Sequence, residues 1–128
     1  MPFLADRCLD LGLNVLDVDA NRLDITHTEA TTFTQATVTW TVGNKTALVI
    51  GAPAARTPTG RRVTVATFTD GNFTATATGP ADDAQFWAIT DTVNSRLLAT
   101  GNLAAAQMQT NGNTFSLAAF DIGIPGAV

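Results

Sequence analysis

Tyrosine is absent from this chain, and lysine, histidine and cysteine occur once each, at Lys45, His27 and Cys8; charged residues make up only 14% of its 128 positions. Each scarcity closes a route. One cysteine and one histidine cannot build a disulfide scaffold or a zinc module, so no metal and no cofactor is expected, and folding must rest on a hydrophobic core. A chain of this length buries roughly two-thirds of its unfolded surface, enough for one such core. The expectation is therefore a single domain over 1–128, with an N-terminal helix or arm over 1–20 and a β-sandwich over 21–128. Seven basic and eleven acidic residues leave a net charge of -4. The basic ones are scattered, so no stripe exists that would release counterions from nucleic acid, which is not an expected partner. Apolar runs are too short for a membrane span, and Asp6, Arg7 and Asp10 interrupt the place where a secretion signal needs a continuous apolar core. No membrane partner and no secretion signal are expected.

What is abundant is threonine, 22 copies, with alanine close behind. β-branched residues fit pleated, half-buried surfaces, so the bias favours strands. The first segment is the exception. Leu4, Cys8, Leu11, Val15 and Val18 recur at helical spacing, with Leu9, Leu13 and Leu16 widening the same stripe. From Arg22 the period changes to two, Leu23, Ile25 and His27 alternating with Asp24, Thr26 and Thr28. Residues 29–43 read as a short helical turn followed by an extended segment, and a strand is expected over 46–51 before a loop marked by Pro53, Pro58 and Gly60. Asp70-Gly71, flanked by alternating residues, predicts a two-residue hairpin turn that would set Phe68 opposite Phe73. A second hairpin is expected from Gln85–Asp91 and Arg96–Gly101, and a last strand over 113–122. The fold class expected is mainly β: a small sandwich or partly open barrel of about seven antiparallel strands with one N-terminal helix.

No pattern for catalysis stands out. His27 lies in a Thr-rich strand with no Ser or Cys motif beside it, and Cys8 on the apolar stripe reads as a small buried thiol. Asp17, Asp19 and Asn21 reproduce the opening of a calcium loop, but Arg22 replaces the glycine and Thr28 the bidentate glutamate, so these acids read as a solvated helix exit. Asp82-Asp83 likewise reads as a turn. Two glycosylation sequons, at Asn44 and Asn72, carry no consequence without a secretion signal, and 43–46 lacks the earlier glycine of a phosphate loop. The loop 51–62 is the richest feature outside the expected core: Arg56, Arg61 and Arg62 concentrate positive charge, and guanidinium forks suit carboxylates on a partner protein. The chain is read as having no catalytic residues and not as an enzyme.

The segments LNVLDVDANR at 13–22, GNKTAL at 43–48, GRRVTVATFTDG at 60–71, FWAITDTVNSRLLATGNL at 86–103 and NTFSLAAFDIGIP at 113–125 together resemble small structural proteins of tailed bacteriophages, over nearly the whole chain. The resemblance implies a virion component, assembled in the host cytoplasm and located on the capsid exterior. Its implied role is capsid decoration: a homo-oligomer, a trimer, that binds the major capsid protein and stabilises the head, where many weak contacts act together. Pro2, Phe3 and Leu4, with Arg56, Arg61 and Arg62, are the residues expected to touch the capsid or neighbouring subunits. The alternative is a tail or fibre module that recognises a host glycan, with Trp40 or Trp87 as a stacking platform, or another tail protein.

Overall fold

A computed structural model describes residues 5–125 of the chain. Pro2, Phe3 and Leu4, expected to touch the capsid or neighbouring subunits, fall outside that range, as does the side chain of Cys8. Helix α1 spans Asp6–Val18, close to the span its periodicity predicts. The buried seam is not the expected one. Leu9, Leu13 and Leu16 face the core, while Leu11, Val15 and Val18 are 60%, 40% and 68% exposed. Both sets satisfy helical spacing, and apolar residues occupy more of the circumference than one flat contact can cover.

Nine antiparallel strands follow among the described residues: β1 Arg22–Thr26, β2 Thr41–Thr46, β3 Ala54–Ala55, β4 Arg61–Val65, β5 Phe68–Phe73, β6 Ala84–Asp91, β7 Arg96–Gln107, β8 Thr114–Leu117 and β9 Phe120–Ile124. Six form a half-barrel sheet in the order β7-β6-β1-β2-β5-β8, and three form a small sheet, β3-β4-β9. The core lies between them: Leu23, Ile25 and Ile89 from the large sheet meet Val63 and Val65 from the small one and Leu13 and Leu16 from α1. The expected mainly β fold, with its partly open barrel and N-terminal helix, is what the chain adopts.

β1 is the centre of the large sheet and is covered on both faces. Leu23 and Ile25 enter the main core, while Asp24 and Thr26 on the other face are fully buried. The cover is the excursion between β1 and β2, a single helical turn over Gln35–Thr39, whose Ala36 packs with Ala30 and Ala88 beneath Trp40 and Leu97. Asp24 is tolerated there because Arg22 grips both its oxygens, at 2.7 and 2.8 Å, and the Thr41 hydroxyl donates to it at 2.7 Å. A buried carboxylate persists only with such partners.

The expected turn at Asp70-Gly71 is absent. The chain runs straight through both residues within β5 and bends instead at Ala66-Thr67, between β4 and β5. The reason is a close approach: a Cβ on Gly71 would lie 2.5 Å from the Phe115 ring. The glycine is needed for contact rather than for a turn. Phe68 and Phe73 meet Phe115, at centroid distances of 5.8 and 4.9 Å, on the partner strand β8. The single last strand expected over 113–122 is likewise two, β8 in the large sheet and β9 in the small one. Because β5 pairs with β8 and β4 with β9, the runs 61–73 and 114–124 form one antiparallel ribbon bent across both sheets. The strand expected over 46–51 is shifted to β2, and Ile50 makes only an isolated bridge to Val65. The second hairpin stands as predicted, with β6 and β7 paired from Asp91↔Arg96 onward.

Candidate interaction site

Adjacent residues on a strand point to opposite faces, and this separates the arginines that lie together in sequence. Arg61 turns toward α1, where its Nε donates to Asp10 Oδ1 at 2.7 Å and its Nη2 to Asp10 Oδ2 at 3.3 Å. It also donates to the Pro53 carbonyl. Arg61 is therefore a clamp between helix and small sheet.

Arg62 lies on the outer face. Its Nη1 donates to Asp121 Oδ2 at 2.7 Å and its Nε to the Ala55 carbonyl at 3.1 Å. The Thr64 hydroxyl donates to the other Asp121 oxygen at 2.6 Å. That hydroxyl is the main cause holding the Asp121 carboxyl below its ordinary range; partial burial opposes it and Arg62 assists it. Arg56 reaches the same face from the loop after β3. Its backbone N–H donates to Gly60 at 3.0 Å, closing the loop with Gly60 at φ +97°, and its side chain lies across Gly123, where a Cβ would meet it at 2.8 Å.

The result is an open groove of about 570 Å³ lined by Arg56, Thr57, Arg62, Asp121 and Gly123. Among the described residues the Arg56 guanidinium meets one carbonyl, Thr59 at 3.0 Å, and no carboxylate. Its remaining donors suit carboxylates or backbone carbonyls of a second surface. Sequence reasoning placed two of the three arginines here but missed Asp121 and Gly123. The signal was available only as register, since Gly123 stands opposite Arg62 and Asp121 opposite Thr64.

The other candidates are absorbed by the fold. His27 is half-buried just past β1, its Nδ1 2.9 Å from the Thr28 hydroxyl and its backbone N–H on the Trp40 carbonyl. Trp87 stacks on Phe120 at 4.8 Å between ring centroids, and Trp40 packs on small residues, so neither indole stands clear as a platform. Asn21 ties the helix exit to the β6–β7 turn through Thr92. The Thr78 hydroxyl bonds the Asp82 carboxylate and is the main cause of its lowered pKa. Among the described residues no group of three or more potential metal ligands assembles, and no helix is long and apolar enough to cross a membrane. No protein-family model, curated protein sequence or solved structure matches the chain.

Proposed function

We propose that this chain is a structural component of a tailed-phage particle: a capsid decoration protein that sits on the outer surface of the major capsid lattice as a homo-oligomer, a trimer, and stabilises the head. The resemblance of the segments quoted above motivates the reading. The observation that carries it is the Arg56–Arg62 groove, in which Arg62 stands on β4 and Arg56, on the loop closed after β3, keeps guanidinium donors for a second surface. Bidentate recognition of carboxylates or carbonyls on a repetitive lattice needs only modest affinity per copy, because many copies act together. The role requires no catalytic residues and no cofactor.

Quantitative mass spectrometry of purified particles tests it by comparing copies of this chain with copies of the major capsid protein. A ratio approaching that of the capsid subunit is the expected result. A handful of copies makes it a tail or connector part, and absence removes the structural reading. Arg56→Ala is expected to weaken binding to isolated capsid shells while leaving the fold intact; unchanged binding moves the contact elsewhere on the surface.

A further inference from the structure

The two edges of the half-barrel are β7 and β8, each hydrogen-bonded on one side only among the described strands. Edge strands are ordinarily guarded by lysine, proline, short length or inward charge. Here β7 runs for 12 residues, and from Thr92 to Phe120 the only charged residue is Arg96, although the chain carries 18 charges in all. The β7 register jumps from Asn102 to Gln107 while β6 advances two residues, so Leu103–Ala106 have no register partner there. These four residues form an uncharged arch outside the regular pairing with β6.

Beside the arch lies an apolar cavity of about 190 Å³. Ile25, Phe73, Leu103, Phe115 and Leu117 line it, with Ala105 of β7 and Ser116 of β8 at exposed positions on its wall. A cavity of roughly 150 Å³ accepts a benzene-sized group. A free strand edge supplies affinity through main-chain hydrogen bonds, and a neighbouring pocket supplies specificity by accepting one side chain.

We infer that the β7–β8 edge region is a strand-addition site for an extended, uncharged segment of another protein that carries one Phe- or Leu-sized side chain into the cavity. The absence of charge over 97–120 selects against a charged segment, which would be desolvated without a counter-charge. A second copy of this chain does not fit the cavity through these edges. The free part of β7 offers only alanines beyond Leu103, and Phe115 and Leu117 of β8 already pack in the core. The inference goes beyond the capsid reading and does not depend on it.

The test is NMR titration of the full ¹⁵N-labelled chain with a capped probe heptapeptide, acetyl-Thr-Val-Thr-Phe-Thr-Val-Thr-amide. The same peptide with Ala or Asp at the centre serves as control. The Phe peptide is expected to shift amides of 103–107 and 114–117 and to bind about tenfold or more tightly than the Ala peptide, the scale expected for burying one aromatic side chain. Ala105→Lys and Ser116→Lys place guards at exposed positions and are each expected to abolish those shifts while leaving the β1–β6 resonances unchanged. Absence of shifts at millimolar peptide overturns the inference. So do equal affinities for the three peptides, shifts confined to the Leu11–Val18 face of α1, or self-association of the free chain through the same edge, which would make a second copy the occupant.

Discussion

The inner strands β1 and β6 of the large sheet and its edge strands β7 and β8 share threonine, alanine, leucine and phenylalanine, yet they sit in opposite environments. At the centre even a carboxylate and threonine hydroxyls are removed from water: Asp24, Thr26, Thr90 and Ile89 are all fully buried. At the edge Ala104, Ala105 and Ala106 are exposed on a strand whose only charge is Arg96 at its start. The centre gains stability by being covered twice, from the core and from the 27–40 excursion. The edge keeps backbone and an apolar cavity uncovered, which is what a binding surface requires and what stability alone does not.

This contrast can be broken at the centre first. Asp24→Ala strands the Arg22 guanidinium and the Thr41 hydroxyl beneath the excursion and is expected to cost about 3 kcal/mol, the lower end for a broken buried pair because Arg22 is partly exposed. Urea unfolding measures it; a loss under about 1 kcal/mol would mean that the second cover is not tight. Where centre grips edge, Gly101 of β7 lies under the Trp87 ring of β6, and a Cβ there would come within 2.4 Å of the indole. Gly101→Ala is expected to cost about 2 kcal/mol by overpacking and to shift the near-ultraviolet tryptophan signal.

A change in the other direction sharpens the comparison. The Thr26 hydroxyl is buried with no hydrogen-bond partner. Thr26→Val keeps its shape and is expected to raise stability by about 1 kcal/mol in the same unfolding assay. The smallest effect concerns the turn that joins centre to edge. Asp91 accepts hydrogen bonds from the Asn94 side chain at 2.7 Å and from the backbone N–H groups of Val93 and Asn94. The Asn94 side-chain bond is the leading cause of its lowered pKa; burial opposes it, and the backbone N–H groups add to it. A carboxyl lowered in the folded state stabilises the turn above its unfolded pKa, near pH 4, and loses that contribution as pH falls through the folded value. Amide exchange at 92–95 is therefore expected to stay protected at neutral pH and to rise relative to β1 only in acid. Asp91→Asn should remove that dependence; an unchanged acid response would place its origin elsewhere.

Much of the fold was legible because local chemistry and tertiary packing agree. The helix, the change of period at Arg22, the helical turn before β2 and the β6–β7 hairpin all follow from patterns that need no distant partner. The Asp70-Gly71 turn failed because a dipeptide that favours a turn also permits close approach, and Phe115, 44 positions along the chain, claimed the second use. The buried helix seam failed for a related reason: with apolar residues on two adjacent stripes, only the position of the small sheet decides which stripe is covered. In the candidate site, charge density located Arg56 and Arg62, while the separation of Arg61 needed the strand phase of β4, and Asp121 needed its register with β9.

By itself the sequence determined the β-rich class, the single helix, the scarcity of charge and the concentration of arginine after Pro53, because composition and periodicity act locally and add along the chain. The tertiary structure alone decided that β1 would be covered on both faces, that 61–73 and 114–124 would bend together across two sheets, and that the uncharged stretch 103–107 of an edge strand would lie beside an apolar cavity. Those outcomes rest on contacts between residues far apart in the chain, and burial belongs to the contact rather than to either residue that makes it.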